Sequence, residues 1–291
     1  RNMSRRQIAQ ELECSFNASG ETVIHPEDLE QLVFSVKEPM YRTGFDRNLW
    51  LWEQYSPASS YLMVADVARG DGADYSVFHI IKLETMEIIG EYRGKPNLEQ
   101  FASVLDGTGR EFGNCLLVVE NNSLGISILE KLQDRQYPNL YFSIKGTHEY
   151  VEQIQAEALN NSVPGFTTSS KTRPLIIAKM EEFIRNKLIT IYSSRLVDEF
   201  KTFIWNNNKA EAMRSYHDDL VMALAIGCWV RDTALTINKR DLEYKRALLG
   251  SMITSKSEFA TTIPGMANHQ REVGLHDQFN QAQDLSWLLK G

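Results

Sequence analysis

Three short acidic segments contain the side chains best suited to chemistry in this chain. Asp66 ends an apolar run of five residues, and Glu120 follows a second such run at positions 115–119. Asp218 and Asp219 stand together at the start of a long apolar stretch. A carboxylate at the end of a buried strand is costly to ionise unless a positive partner meets it. If the three segments converge, a hard divalent cation such as Mg²⁺ would relieve the repulsion between their carboxylates.

Each acid also has a structural alternative. Asp66 would bond to turn amides, and Glu120 would be held by the Asn pair that follows it. Asp218 and Asp219 would cap a helix, because acids are favourable at the positive end of a helix dipole. Two adjacent acids exceed what one cap needs, so one is free to bind metal. Asp219 is preferred because the first acid is better placed to cap, although both remain candidates for the metal site, and the adjoining His217 is a further candidate base.

The apolar periodicity predicts an α/β fold with a mixed sheet. Apolar runs bounded by turn residues predict five strands, and apolar residues at helical spacing predict helices between the last three. The predicted strands cover residues 61–68, 76–83, 87–93, 115–120 and 140–143. The first three are antiparallel, and the helical crossovers make the last two parallel to a neighbour. Parallel pairing of strands one and four would bring Asp66 and Glu120 within one ~5 Å inter-strand step.

The rest of the chain divides into three regions. Residues 1–58 are mixed in pattern and are interpreted as a linking or docking segment. Residues 59–250 form the α/β domain, with helices expected at about 148–159, from Pro174 onward, at about 196–204, and along the buried stretch 216–230. Residues 251–291 are polar and are expected to form a mobile tail with a short apolar hook.

Composition limits the classes of partner. The chain has 291 residues, 43% of them apolar, and a net charge of −7, so any nucleic-acid site must be a local basic patch. Residues 165–215 contain nine Lys and Arg against five Asp and Glu. The candidate DNA-binding residues there are Lys171, Arg173, Lys179, Arg185, Lys187, Lys209 and Arg214. The alternative is that they are ordinary solvated helix faces.

Cysteine usage and hydropathy indicate the cellular compartment in which the chain is expected. The three cysteines lie far apart, which gives no disulfide framework and suits a reducing cytoplasm. No apolar run reaches the ~18 residues of a membrane span, so no membrane association is expected.

The acidic segments resemble a known family. Residues 64–76 (VADVARGDGADYS), 118–125 (VVENNSLG) and 216–225 (YHDDLVMALA) closely resemble the three nuclease motifs of the large terminase subunit of tailed bacteriophages, with the T-even-like branch nearest. Residues 7–20 are similar to the segment that joins the ATPase of that protein to its nuclease. No intact Walker A motif is present, so we expect no ATP site and interpret the chain as the C-terminal nuclease portion.

The resemblance implies a ribonuclease H-like fold and metal-dependent cutting of concatemeric double-stranded viral DNA during packaging into the prohead. Asp66, Glu120 and one of Asp218 and Asp219 would form the metal-binding triad. The cofactor would be Mg²⁺, with Mn²⁺ as a substitute. The implied partners are double-stranded DNA, the portal protein, the small terminase subunit and the ATPase domain of the same protein. The implied location is the host cytoplasm, at the prohead portal.

The resulting hypothesis is a two-metal endonuclease. Asp66 would bridge two ions, and Glu120 and Asp219 would hold one each. Two alternatives remain at this point. One is a resolvase or integrase-like nuclease that acts on branched DNA. The other is a non-catalytic module that grips DNA or docks to the portal, with purely structural acids.

Overall fold

The computed structural model describes most of the chain between residues 22 and 235. The described residues are 22–44, 46–68, 74–145, 150–156, 159, 161–207 and 209–235, with single residues at 243 and 247. The chain divides into two compact units, Arg1–Ala234 and Leu235–Gly291. The predicted tail at 251–291 and the family-like segment at 7–20 lie outside the described residues. None of the described helices is both long and apolar enough to cross a membrane.

A six-stranded mixed sheet forms the centre of the first unit, in the order β1-β2-β5-β4-β3-β6. Its strands are β1 Tyr41–Thr43, β2 Leu49–Leu51, β3 Tyr61–Asp66, β4 Ser76–Lys82, β5 Glu87–Gly94 and β6 Leu116–Val119. All neighbours are antiparallel except β3 and β6, which are parallel. The predicted mixed α/β sheet is therefore confirmed, including the antiparallel run β3-β4-β5 and the parallel fourth strand.

Helices and two small sheets surround the central sheet. The helices are α1 Pro26–Ser35, α2 Leu98–Glu111, α3 Ser123–Asp134, α4 Gln153–Ala156, α5 Thr172–Arg185, α6 Ser194–Thr202 and α7 at 219–235. One small sheet contains β7 Phe142–Ile144, β8 Tyr150–Val151 and β9 Ser162–Pro164, in the order β8-β7-β9. The other pairs β10 Phe203–Asn206 with β11 Lys209–Ala212.

Two local predictions were wrong. The predicted fifth strand does not extend the central sheet, because β7 pairs with β8 and β9 instead. Only a single parallel bridge, between Leu117 and Leu140, joins that segment to β6. The helix expected near 148–159 is a two-residue strand followed by the four-residue α4 in its described part, because pairing with β7 overrides local helix propensity.

The central sheet also begins earlier than the predicted domain boundary at residue 59. Strand β2 pairs with β5, and Leu49 and Leu51 are buried. Gly90 allows this close packing, because a Cβ there would lie 2.7 Å from Ile80 Cδ1 and 2.9 Å from Leu51 Cδ2. Residues 41–51 therefore contribute two strands to the sheet. The role of 1–58 as a link to another domain remains a prediction.

The two faces of the central sheet carry different layers. Met63 and Ala65 of β3 point into a core cluster that includes Phe101 of α2 and Leu129 of α3. Side chains alternate along a strand, so Val64 points to the opposite face. Helix α7 covers that face closely, since a Cβ on its Gly227 would lie 3.3 Å from Val64 Cγ2.

Candidate metal centre

Strand register places Asp66 beside Glu120. In the parallel pairing of β3 and β6, Val64 lies opposite Val118 and Ala65 opposite Val119. The Glu120 N–H continues this ladder by donating to the Ala65 carbonyl at 2.9 Å. Asp66 and Glu120 therefore end neighbouring parallel strands at the same edge of the sheet. Because side chains alternate, both share the face of Val64, which is the face that α7 covers.

The N-terminus of α7 brings Asp219 to the same end of the sheet. The Tyr75 N–H, just before β4, donates to Asp219 Oδ2 at 3.1 Å and ties the start of the helix to the sheet edge. Burial raises the pKa of Asp66 well above its ordinary value, and the charge of Glu120, a hydrogen bond between these two carboxyl groups, and the charge of Asp219 raise it further. Three acids that lie 54 and 99 residues apart along the chain thus share one electrostatic environment.

Burial also raises the pKa of Asp219, from an ordinary value of 3.8 to about 6. A raised pKa means that the protein disfavours the ionised form of the carboxyl group. The amide of Tyr75 and the nearby His217 act against this rise, while Asp74 and Asp218 add to it. The cluster therefore carries more negative charge than its protein surroundings compensate, which is the condition that a bound cation would relieve.

The structural alternatives for Asp66 and Glu120 account for only part of their environment. Asp66 Oδ1 accepts a hydrogen bond from the Val67 N–H at 2.7 Å, as a turn acid would. The Asn122 amide donates to Glu120 Oε2 at 3.2 Å, while its Oδ1 caps α3. These single bonds hold the two side chains but leave their carboxyl groups facing each other.

Asp218 does not have the capping role that the sequence suggested. Its Oδ2 lies 2.7 Å from an Nη of Arg173, so it forms an ion pair with α5. The amides at the start of α7 are instead bonded by Glu199, whose Oε2 accepts from Leu220 at 2.9 Å and from Val221 at 3.3 Å. No sequence pattern indicated this cap, because Glu199 lies on α6, about twenty residues earlier in the chain. The choice of Asp219 over Asp218 as metal ligand remains a prediction.

A second polar group adjoins the three acids. His217 Nδ1 lies 3.6 Å from Asp74 Oδ1 and 3.8 Å from Asp219 Oδ2. Asp74, His217 and Asp219 each offer a ligand atom, and these atoms lie within 4.8 Å of one another. Sequence reasoning did not single out Asp74, because it resembles any other acid of a hairpin turn.

The basic residues predicted to bind DNA differ in their partners, and their role in DNA binding remains a prediction. Four of them form ion pairs with nearby acids, namely Arg173 with Asp218, Lys179 with Glu182, Arg185 with Glu181, and Lys209 with Glu211. Lys171, Lys187 and Arg214 are exposed and form no ion pair within the described part of the chain. Lys171 and Lys187 flank opposite ends of α5, whose 14 residues span roughly 21 Å.

Glycine 125 allows α3 to begin directly against Glu120. A Cβ at this position would clash with the Glu120 carbonyl oxygen. We expect Gly125→Ala to lower the free energy of unfolding by roughly 1–3 kcal/mol through overpacking. Gly107→Ala on α2 is the matched control, because a Cβ there meets nothing within 4 Å. It should stabilise the helix by roughly 0.5–1 kcal/mol. Urea unfolding measures both, and equal effects would contradict the proposed clash.

Comparison with known proteins gives the class of fold. The mixed sheet with its two acid-bearing parallel strands and flanking helices is a ribonuclease H-like fold. No family model matches the sequence.

Solved structures to which the chain is similar include large terminase nucleases from the thermophilic phage G20c. The forms with bound cobalt and with bound magnesium each align with a TM-score of 0.55 at 20% identity, covering 72% of this chain and 96% of that chain. A further G20c nuclease structure aligns with a TM-score of 0.52 at 20% identity, covering 70% and 96%. At this level of identity the likeness establishes the fold.

Proposed function

We propose that this chain is a metal-dependent endonuclease that cuts double-stranded viral DNA during genome packaging. One observation carries the proposal: Asp66, Glu120 and Asp219 come from two strand ends and a helix start, and Glu120 and Asp219 both act on the carboxyl group of Asp66. The fold similarity to terminase nucleases, two of them with a bound divalent metal, supports the same reading.

The donor set fits a divalent cation. All three residues present oxygen ligands, which suit Mg²⁺ and Mn²⁺. Asp66 would be shared between two ions, and Glu120 and Asp219 would hold one each, a proposal supported by the effect that the charges of both other acids have on Asp66. Ions held there would supply Lewis-acid chemistry, by activating the attacking water and stabilising the departing 3′ oxygen.

Two cations outside the predicted basic segment, Arg93 of β5 and Lys95 just after it, pack on the ring of Tyr75. The Arg93 guanidinium lies 4.2 Å from the centroid of the Tyr75 ring, and Lys95 Nζ lies 4.6 Å from it. The Tyr75 amide in turn binds Asp219. Lys95 is exposed, so DNA phosphates held by Lys95 and Arg93 would lie next to the metal ligands. Of the predicted basic set, Arg173 reaches Asp218 with its guanidinium, and Lys171 lies two residues before it in the chain.

A comparison of two exposed lysines tests this placement. We expect Lys95→Ala to weaken duplex binding and to reduce the salt dependence of the binding constant by about one phosphate contact. Lys187→Ala removes the same charge at the far end of α5 and should leave both unchanged. Fluorescence anisotropy over a salt series, in the presence of Ca²⁺ to suppress cutting, measures both variants. A larger effect at Lys187 would place the DNA on the other side of the domain.

The nuclease function has a direct test. The purified chain with supercoiled plasmid and Mg²⁺ should produce nicked and linear DNA, and EDTA should prevent both. Intact plasmid across a range of Mg²⁺ and Mn²⁺ concentrations would favour a non-catalytic module. A preference for four-way junctions over linear duplex would instead indicate a resolvase.

In this proposal the chain acts as the nuclease portion of a large terminase. The ATPase domain of the same protein would feed it DNA at the prohead portal in the host cytoplasm. The portal protein and the small terminase subunit would be its assembly partners. Pull-down of the portal protein by this chain, compared with the isolated ATPase domain, tests the placement.

A further inference from the structure

The first turn of α7 is held by a side chain from another helix. Glu199 of α6 is buried, with only 4% of its surface exposed. Its Oε2 accepts hydrogen bonds from the N–H groups of Leu220 and Val221 at 2.9 and 3.3 Å. The Leu220 carbonyl oxygen lies 2.9 Å from His79 Nε2 of β4. The start of α7 is therefore anchored from outside the helix.

The N–H groups of Leu220 and Val221 are the ones that the N-cap side chain of a helix normally bonds. The side chain at the N-cap accepts from the second or third helical N–H, and with α7 beginning at 219 those belong to Leu220 and Val221. Asp218 occupies the N-cap position and has a residue type well suited to capping. Because Glu199 already fills the site, Asp218 is turned to Arg173. Asp219, at the first helical position, is left facing the sheet edge.

A second series of contacts links Glu199 to Asp219. Glu199 Oε1 lies 3.7 Å from Arg93 Nε, and neither atom has a hydrogen-bond partner among the described residues. The Arg93 guanidinium packs on the ring of Tyr75, whose backbone N–H donates to Asp219 Oδ2. Glu199 is therefore linked to Asp219 in two ways. It bonds the amides that follow Asp219 in α7, and it pairs with Arg93, which packs on the Tyr75 ring.

We propose that Glu199 is a positioning residue of the metal centre: it replaces the local cap of α7 and so keeps the carboxylates of Asp218 and Asp219 out of the helix amides. This inference rests on the proposed function, since it concerns the same three acids. Without Glu199, the buried amides of Leu220 and Val221 would need a new acceptor. Asp218 is at the N-cap and would rotate to supply it, releasing Arg173 and moving the adjoining Asp219.

The expected result is a loss of metal affinity. Outer residues that orient metal ligands typically contribute about tenfold to a hundredfold to affinity, so we expect Glu199→Ala to weaken Mn²⁺ binding by about that factor. Glu199→Gln keeps a carbonyl oxygen for the two amides and should bind Mn²⁺ nearly as the wild type does. Asp198→Ala is the matched control, because Asp198 is the preceding residue of α6 and has 68% of its side chain exposed.

Isothermal titration of Mn²⁺ into the whole chain, without DNA, measures these affinities, and urea unfolding of the same samples measures stability separately. A purely structural cap would lower the unfolding midpoint of Glu199→Ala and leave its Mn²⁺ affinity unchanged, and that result would overturn the proposal. If Glu199→Ala does not fold, Glu199→Asp takes its place, because its shorter side chain cannot reach both amides.

The same titration separates this inference from the proposed function. Wild-type protein that binds Mn²⁺ but cuts no DNA would contradict the nuclease and leave the role of Glu199 intact. Wild-type protein that binds no Mn²⁺ would overturn both. Equal binding by the wild type and by Glu199→Ala would overturn the positioning role alone.

Discussion

Replacing Asp66 with Asn should lower the rate of plasmid cleavage by at least about a thousandfold while leaving DNA binding nearly unchanged. Asp66 interacts with both Glu120 and Asp219, so its loss affects every cation held between them. Metal ions contribute several kcal/mol of transition-state stabilisation to such reactions, and each 1.36 kcal/mol is a factor of ten in rate. The DNA phosphates are expected at Lys95 and Arg93, which the substitution does not touch.

The same substitution should stabilise the metal-free protein. The pKa of Asp66 is raised by burial and by like charge, so its ionised form opposes folding at neutral pH. Asn has nearly the same shape and no charge, which removes this unfavourable contribution. A variant that loses activity and yet unfolds at higher urea concentration than the wild type cannot owe its inactivity to misfolding.

A matched control isolates the site. Asp134→Asn makes the same chemical change at the exposed C-terminal end of α3, and it should leave cleavage unchanged and shift the unfolding midpoint only slightly. Cleavage by Asp66→Asn within tenfold of the wild type would exclude this residue as a metal ligand. Cleavage lost together with DNA binding would indicate that Asp66 supports the fold of the DNA-binding surface instead.

Addition of Mg²⁺ should stabilise the protein in a manner that depends strongly on pH. A ligand at a hundred times its dissociation constant stabilises the folded state by about 2.7 kcal/mol. For a domain of this size that corresponds to a rise in Tm of roughly 5–10 °C. Carboxylates must be ionised to bind the cation, and the pKa of Asp219 is about 6. The rise should therefore be small at pH 5 and larger at pH 7.5.

Without metal, the stability of the folded protein should fall, not rise, as the pH increases. The folded-state pKa of Asp219 lies above its ordinary value of 3.8, so the folded protein binds more protons than the unfolded chain between about pH 4 and pH 6. The contribution of Asp219 to stability therefore falls as the pH rises through this window, and that of Asp66 changes in the same direction. Mg²⁺ holds the ionised form and should cancel this loss.

Differential scanning calorimetry with and without Mg²⁺ across pH 4–8 measures both effects. Asp219→Asn is the informative variant, because it should lose most of the Mg²⁺ response and the share of the metal-free decline that Asp219 contributes, while the share of Asp66 and of Glu199, whose pKa burial raises to about 9, should remain. Na⁺ at equal ionic strength controls for general screening. An equal Tm rise in Asp219→Asn would move the cation to another site.

Local patterns explain why much of the fold could be predicted. Period-two and helical spacing are properties of consecutive residues, so the hairpin strands β3, β4 and β5 and the helices α2 and α3 follow from the sequence alone. The parallel pairing of β3 with β6 also follows, because a helical crossover leaves few other arrangements. The two strand-end acids, Asp66 and Glu120, were identifiable for the same reason, since each interrupts or ends an apolar run.

Contacts between distant segments explain what could not be predicted. The cap on α7 comes from Glu199, the partner of Asp218 is Arg173, and the cations on the ring of Tyr75 are Arg93 and Lys95. None of these contacts is marked by local spacing. Hydrogen bonds and ion pairs form between whichever groups packing brings together, and residue type alone does not specify them. The three acids can therefore be identified from the sequence. The tertiary packing of α6 and α7 against the sheet determines their relative positions and frees Asp218 and Asp219 from capping the helix.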